Sequence, residues 1–315
     1  MEERNVLMMK KLLVVGSINM DIVSNVDRFP LPGETIHSGE ALFFPGGKGA
    51  NQAVAAARAG AGCAMVGAVG TDPFGDKLVR GLEEDGISTN LILRKEGSSG
   101  FAIITVNGEG ENTIVLSPGA NGLLTAGDAA AAIPDWSGLH AVLLQNEIPW
   151  DTTCSVIRSA SAGGARVFFN PAPARELPDE LLSRIDTLIL NETEAAAVSG
   201  TAVNDIESAQ AAAERIIAKG TNTVIVTLGE QGCFCRTSNG RAFRVPAFKV
   251  KPVDTTAAGD TFFGAYAAAE ASGLGLREAL EFAAAAAALA VTKAGAQASI
   301  PAKAEIEAFL RKLEP

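Results

Sequence analysis

The sequence predicts an α/β protein, a three-layer, doubly wound, mostly parallel sheet with helices on both faces, plus a small antiparallel β flap. Three observations lead there. Short, continuously apolar runs recur along the chain, as strands buried on both faces require. Helical segments separate them, often behind Gly, Pro or a polar residue. Two stretches break the alternation and read as β structure outside the main sheet.

In chain order, LLVVG (12–16) is the first buried strand and ends in Gly. Ile22 to Phe44 has no helical period and carries Pro30, Pro32 and Gly33. Lys48 to Gly60 is Ala-rich with a Gly stop, so it predicts a helix. CAMVGAVG (63–70) is strand again, and Asp72-Pro73 opens a helix that ends at Gly86. FAIITVNGEGENTIVL (101–116) is two alternating runs joined by a Gly-containing turn, a hairpin pattern. HAVLLQ (140–145), RVFFN (166–170), TLILN (187–191) and TVIVT (223–227) supply four more strands, with Asp151 the expected N-cap of the helix after the first of these. A lone hairpin is marginal in water, so the flap needs a partner surface, such as another subunit's flap.

The 315 residues are 47% hydrophobic and 20% charged, which excludes a disordered chain. The net charge of −10 argues against a nucleic-acid partner, though local dipoles can still hold an anion. The longest stretch free of Asp, Glu, Lys and Arg is Asn112 to Gly127, too short and Gly-rich for a membrane span. MEERNVLMMKK does not read as a signal peptide. Cys63, Cys154, Cys233 and Cys235 are read as reduced, buried thiols of a cytoplasmic protein. Cys233 and Cys235 are taken to point to opposite faces of a strand, and a CxC without a second pair makes a poor zinc site.

Ligands of such sheets sit beyond the carboxyl ends of the strands, so the chemistry is sought just after each apolar run. In DTTAAGDTFFGAYAAA (254–269), small residues precede Asp260 and a long Ala-rich helix. A helix start offers unpaired N–H groups to an anion. A carboxylate there suits phosphoryl transfer, taking a proton from an attacking hydroxyl, although a plain helix cap is the alternative. In FPGGKGANQAVAAARAG (44–60), glycines lead into a helix with Lys48 and Asn51 near its start. This is not a Walker A loop, because Gly49 follows Lys48 where Ser or Thr is required. GSINMD (16–21) offers Asn19 and Asp21 to vicinal hydroxyls, and Glu147 follows another strand. Asn191 and Glu194 in NETE read by themselves as an N-cap with an acidic first turn.

From about Leu12 to Leu310 the chain resembles the ribokinase-like carbohydrate kinases. GGKGAN (46–51) and DTTAAGDTF (254–262) match the two signatures of that family. GSINMD, NGEGEN (107–112), NPAPARELPDELL (170–182), NETEA (191–195), TLGEQG (227–232) and VTKAGAQASIP (291–301) add to the match. The resemblance implies one kinase domain over 1–315, with lid segments at about 18–45 and 99–118. It implies transfer of the γ-phosphoryl group of ATP to the 5-hydroxyl of D-ribose. Asp260 is then the general base, and the amides of Ala257, Ala258, Gly259 and Asp260 are the anion hole. Asn19, Asp21, Gly47, Lys48, Asn51 and Glu147 fall on sugar-binding positions, with Asp260 beside them. Asn191 and the loop Thr227, Leu228, Gly229, Glu230, Gln231, Gly232 fall on nucleotide-binding positions, joined by Gly259. Glu194 falls on a position tied to Mg²⁺, and Asp254, Thr256, Ala290, Lys293, Gly295 and Ser299 on a site for K⁺. A homodimer formed through the lid is also implied.

Three rivals remain at this stage. One is a kinase of deoxyribose, fructose or a nucleoside in the same family. Another is a non-catalytic sugar or nucleotide sensor, which has no need of Asp260. A dehydrogenase binding NAD is disfavoured because the first strand runs into GSINMD and not GxGxxG.

Overall fold

A computed structural model describes residues 11–133 and 135–312, so the reading of the amino terminus lies outside the described residues. Nine strands form the main sheet. Seven run parallel: β1 (Lys11–Val15), β4 (Gly62–Gly70), β5 (Ser88–Lys95), β8 (Leu139–Leu144), β9 (Arg166–Phe169), β10 (Thr187–Leu190) and β11 (Thr223–Thr227). The antiparallel strands β12 (Cys233–Thr237) and β13 (Ala242–Val245) close one edge, giving the order β13-β12-β11-β10-β9-β8-β1-β4-β5.

Period-2 alternation divides each parallel strand between two cores. Leu12 and Val14 join Phe168, Ile189 and Ile225 on one face, whereas Leu13 and Val15 join Val142, Phe169 and Val224 on the other. The first core lies under helices α1 (Lys48–Arg58), α2 (Pro73–Glu84), α8 (Ala258–Ala271), α9 (Leu276–Ala290) and α10 (Lys303–Arg311). The second lies under α3 (Ala126–Ala132), α4 (Trp150–Ala162), α5 (Asp179–Leu182), α6 (Glu192–Ser199) and α7 (Ile206–Ile217). Fully buried Phe168, Phe169 and Phe263 each contribute about 1.5–3 kcal/mol by leaving water.

The flap is a separate sheet of β2 (Asn19–Asn25), β3 (Leu42–Gly46), β6 (Gly100–Val106) and β7 (Asn112–Ser117), ordered β3-β2-β6-β7. The pairs β2–β3 and β6–β7 are antiparallel, and β2 joins β6 in parallel between them.

Two expectations fail. Pro149 holds the cap position of α4, and Asp151 lies inside the first turn, where its charge favours the helix dipole but caps nothing. Cys233 and Cys235 share one face of β12, both in the first core, while Phe234 between them joins the second. Residues two apart on a strand point the same way. All four cysteines are free and buried, and burial pushes the thiols of Cys63, Cys233 and Cys235 up to about 12. Among the described residues, no helix is long and apolar enough to cross a membrane.

Candidate active site

The site residues follow the carboxyl ends of parallel strands, where a doubly wound sheet leaves its crevice. Gly16 to Asn19 follow β1, Gln145 to Glu147 follow β8, Asn170 follows β9 and Asn191 follows β10. A cleft of about 210 Å³ opens there. It is lined by Lys48, Asn170, Asn191, Glu194, Thr227 and Thr255, and by Ala257, Ala258, Gly259 and Asp260.

Asp260 sits in the first turn of α8, a helix buried along most of its length. Ala257 caps that helix in the left-handed region (φ 58°), the single non-glycine residue there among the described residues. Its side chain caps nothing, so the first turn is left open towards the cleft. The Ala258 amide already donates to the Thr255 carbonyl at 3.2 Å, and Thr261 closes the first helical bond to Ala257. The amides of Gly259 and Asp260 lie between them in the first turn, without an acceptor in the helix. Of the amides of Ala257–Asp260, the Ala258 amide is thus already engaged within the loop.

The Asp260 carboxylate is 6% exposed. Its Oδ2 accepts from Asn51 Nδ2 and its Oδ1 from Gln52 Nε2, each at 3.0 Å. Gln52, Gln145 and Asn170 escaped the sequence reading as site residues. The available signal was their place, beside Asn51 in GGKGANQ or as the polar residue that ends a buried strand.

Three glycines bring the chain close enough to build the rest. A Cβ on Gly47 (φ 89°) would lie 2.7 Å from the Asn19 nitrogen, and one on Gly49 would lie 2.6 Å from the Ser17 nitrogen. A Cβ on Gly46 would meet the Asp21 carboxylate at 2.2 Å. Glu147 accepts from the Ser17 hydroxyl at 2.6 Å and from the Lys48 amide at 3.1 Å. Asn121 holds both backbone groups of Ile18 and donates to Asn19 Oδ1 at 2.7 Å, so Asn19 turns its nitrogen outward.

The charges crowd. Burial, then Glu147 and Asp260, push Asp21 up to about 6. Asp260 foremost, with Glu147 and Glu194, raises Lys48. Burial raises Glu194 against the hydrogen bonds it accepts. Three carboxylates thus act on one ammonium, and Asp21 crowds two of the three.

At the end of β10, Asn191 caps α6 and Glu194 completes a capping box. Asn191 Nδ2 donates to Glu194 Oε1 at 3.0 Å, and Asn170 Nδ2 donates to Oε2 at 2.9 Å. Thr227 lines the cleft, whereas Gly229, Glu230, Gln231 and Gly232 form a turn outside its lining. Leu228 is buried in the second core, leaving only its backbone for a ligand.

Asp254 joins two loops. Its Oδ1 accepts from the Thr256 amide (2.9 Å) and hydroxyl (2.6 Å), and its Oδ2 accepts from the Gly295 amide at 2.9 Å. The Ala290 carbonyl accepts from the Lys293 amide, and the Ser299 hydroxyl donates to Ala296. Lys293 turns its ammonium to Glu305 at 2.9 Å, so only its carbonyl could face a cation. The donors here are all oxygen, with one formal negative charge, which fits an alkali cation. Among the described residues no group of three or more His, Cys, Asp or Glu could hold a metal. Glu194 and Asp260 line one cleft, so a divalent ion reaching it with a nucleotide fits between them on charge.

A parallel sheet with its crevice at the strand ends, a carboxylate at an open helix start and a polar ring around it suit a phosphotransferase of the small-molecule kinase class. The family model of pfkB carbohydrate kinases matches residues 9–303. The chain belongs to that family. It is 41% identical over 302 residues to the ribokinase of Staphylococcus aureus, covering 95% of this chain and 99% of that one. It is 36% identical over 301 residues to the deoxyribokinase of Salmonella typhi, covering 95% and 98%. The structure of Arabidopsis thaliana ribokinase complexed with ribose and ATP superimposes with a TM-score of 0.89 at 32% identity, covering 96% of this chain and 99% of that one.

Proposed function

We propose that the protein is an ATP-dependent sugar kinase that phosphorylates D-ribose at its 5-hydroxyl. The observation that carries this reading is the Asp260 carboxylate in the open first turn of α8, in one cleft with Lys48. A base beside preorganised N–H donors is what phosphoryl transfer needs from a protein. Ribose hydroxyls are held by Asn19, Asp21, Asn51 and Glu147, with Lys48 and the Gly47 backbone alongside. Asp260 takes the proton of the 5-hydroxyl as its oxygen bonds to the γ-phosphorus. The bond from that phosphorus to the bridging oxygen breaks, and ADP leaves with the electron pair. The amides of Ala257 to Asp260, those of Gly259 and Asp260 foremost, stabilise the charge on the moving group, while Asn191, Thr227 and the loop to Gly232 hold the nucleotide.

An excess of carboxylates over the single Lys48 ammonium repels a bare triphosphate, which supports a requirement for Mg²⁺ near Glu194 and Asp260. Bound there, Mg²⁺ supplies positive charge to the phosphates. K⁺ is assigned to the oxygens about Asp254, Thr256, Ala290, Lys293, Gly295 and Ser299, on the loop that leads into α8 and the segment joined to it through Asp254. We assign the chain a single kinase domain over 1–315, with the lid segments at about 18–45 and 99–118. The exposed apolar residues Ile114, Val115 and Leu116 on the lid support pairing with a second copy. Four free cysteines support a reducing, cytoplasmic setting.

The test is ADP release with ribose, 2-deoxyribose, fructose and nucleosides, each with Mg²⁺ and with or without K⁺. Ribose-dependent release that K⁺ increases is expected. Preference for 2-deoxyribose would establish the second reading, which the deoxyribokinase relative supports, and release with no sugar acceptor would reject both.

A further inference from the structure

Gln52 and Gln145 are both fully buried. Gln52 therefore presents no surface to a ligand, and its route to the chemistry runs through Asp260. A carboxylate only accepts, so the Gln52 nitrogen must face it. That nitrogen lies 3.0 Å from Asp260 Oδ1 and 3.5 Å from Asn170 Oδ1, a second acceptor. The Gln52 oxygen then points away and accepts from Gln145 Nε2 at 2.6 Å. Gln145 Oε1 has no donor. It lies against Gly16, where a Cβ would come within 2.0 Å of it. The chain of amides has one consistent direction, from Gln145 through Gln52 to Asp260.

We infer that Gln52 is a positioning residue for the base and that Gln145 acts through it. This rests on the reading of Asp260 as the base. Asn51 also holds the carboxylate, but it stands among the positions assigned to the sugar. Gln52 is fully buried, and its amide donor reaches Asp260 from the protein interior. The charged groups near Asp260 are Lys48, Asp21 and Glu194. None of them supplies the fixed amide donor that Gln52 does.

Steady-state kinetics of Gln52→Leu, Gln145→Leu, the double variant and the near-isosteric Gln52→Glu provide the test. Gln52→Leu is expected to lower kcat about ten- to hundredfold, with KM for the sugar within about threefold of the parent. Gln145→Leu should give a smaller loss, and the double variant should be no worse than Gln52→Leu alone. Gln52→Glu keeps nearly the same volume but replaces the amide donor with an acceptor, so its kcat should fall at least as far as that of Gln52→Leu, again with little change in KM. Parental kcat in Gln52→Leu or Gln52→Glu, or strictly multiplicative losses in the double variant, would overturn the inference. Asp260→Asn runs in parallel. If it keeps its turnover, the base assignment itself has failed. If it is dead while the Gln52 variants are normal, only the positioning role has.

Discussion

Asn51 Nδ2 donates to Asp260 Oδ2 at 3.0 Å across 209 positions of sequence. This bond joins the Gly-rich loop to the start of α8. The reason is close helix packing one turn further along. A Cβ on Gly264 would lie 2.5 Å from the Gln52 carbonyl oxygen and 2.6 Å from the Ala55 Cβ. Only a bare backbone lets α8 come near enough to α1 for Asn51 and Gln52 to reach Asp260.

Asp260→Asn removes the proton acceptor and keeps the shape. Ribose binding by calorimetry should persist, while kcat for ribose-dependent ADP release should fall by roughly 10²–10⁴-fold. Turnover close to the parent would remove Asp260 from the mechanism.

Gly264→Ala should separate the two helices. Overpacking of this kind costs about 1–3 kcal/mol, read as a lower Tm, and kcat should fall more than sugar affinity. An unchanged Tm with parental kcat would show that the contact has slack.

Asp21 is held at about 6, above its ordinary 3.8, by burial and by Glu147 and Asp260. Between about pH 4 and 6 the folded protein therefore holds a proton that the unfolded chain has lost, and stability falls as pH rises through that window. Above it the carboxylate costs the sugar-free fold up to about 3 kcal/mol. Asp21→Asn should raise Tm at pH 7.5, with the gain fading towards pH 4, while KM for the sugar rises roughly ten- to hundredfold. A destabilised variant at pH 7.5, or an unchanged KM, would contradict this.

Ala257 bears the left-handed conformation that opens the helix start. Ala257→Gly relieves about 1 kcal/mol of strain against a similar loss of chain restriction, so Tm and kcat should stay near the parent. Ala257→Val adds a β-branch where φ is positive and should lower both Tm and kcat. Equal behaviour of the two variants would show that the turn is not needed.

Glu270, at the far end of α8, receives Arg166 at 2.5 Å and contacts His140, which ties the helix to β8 and β9. Burial would raise its pKa, but the bonds from His140 and Arg166 outweigh it and hold it at about 2. The stability this supplies is complete above about pH 4.5 and is lost as pH falls towards 2. Acid unfolding of Glu270→Gln should show a shallower dependence on pH than the parent across that range, and identical curves would exclude the tie.

The alternation of buried runs and helices was legible because each strand of a parallel sheet is apolar on both faces. The four central strands named from HAVLLQ, RVFFN, TLILN and TVIVT appear within a residue or so of those runs. Strand β5 was not legible, since STNLILRK lies at the sheet edge with one wet side and carries charge. The motif residues Asp260, Lys48 and Asn51 were visible as polar groups at helix starts. Gln52, Gln145 and Asn170 were not, because a buried amide is recognised by what it faces.

Composition and periodicity were enough to determine the layered sheet and the separate flap, and the two signature segments pointed to candidate residues at strand ends and helix starts, because hydrophobic pattern and turn chemistry are local properties of the chain. Tertiary structure alone decided which amides remain open at the start of α8, which way the glutamines run, and how far Asp21 is lifted. Each of these depends on groups brought within about 3 Å from distant parts of the sequence, where desolvation and hydrogen-bond direction set the outcome.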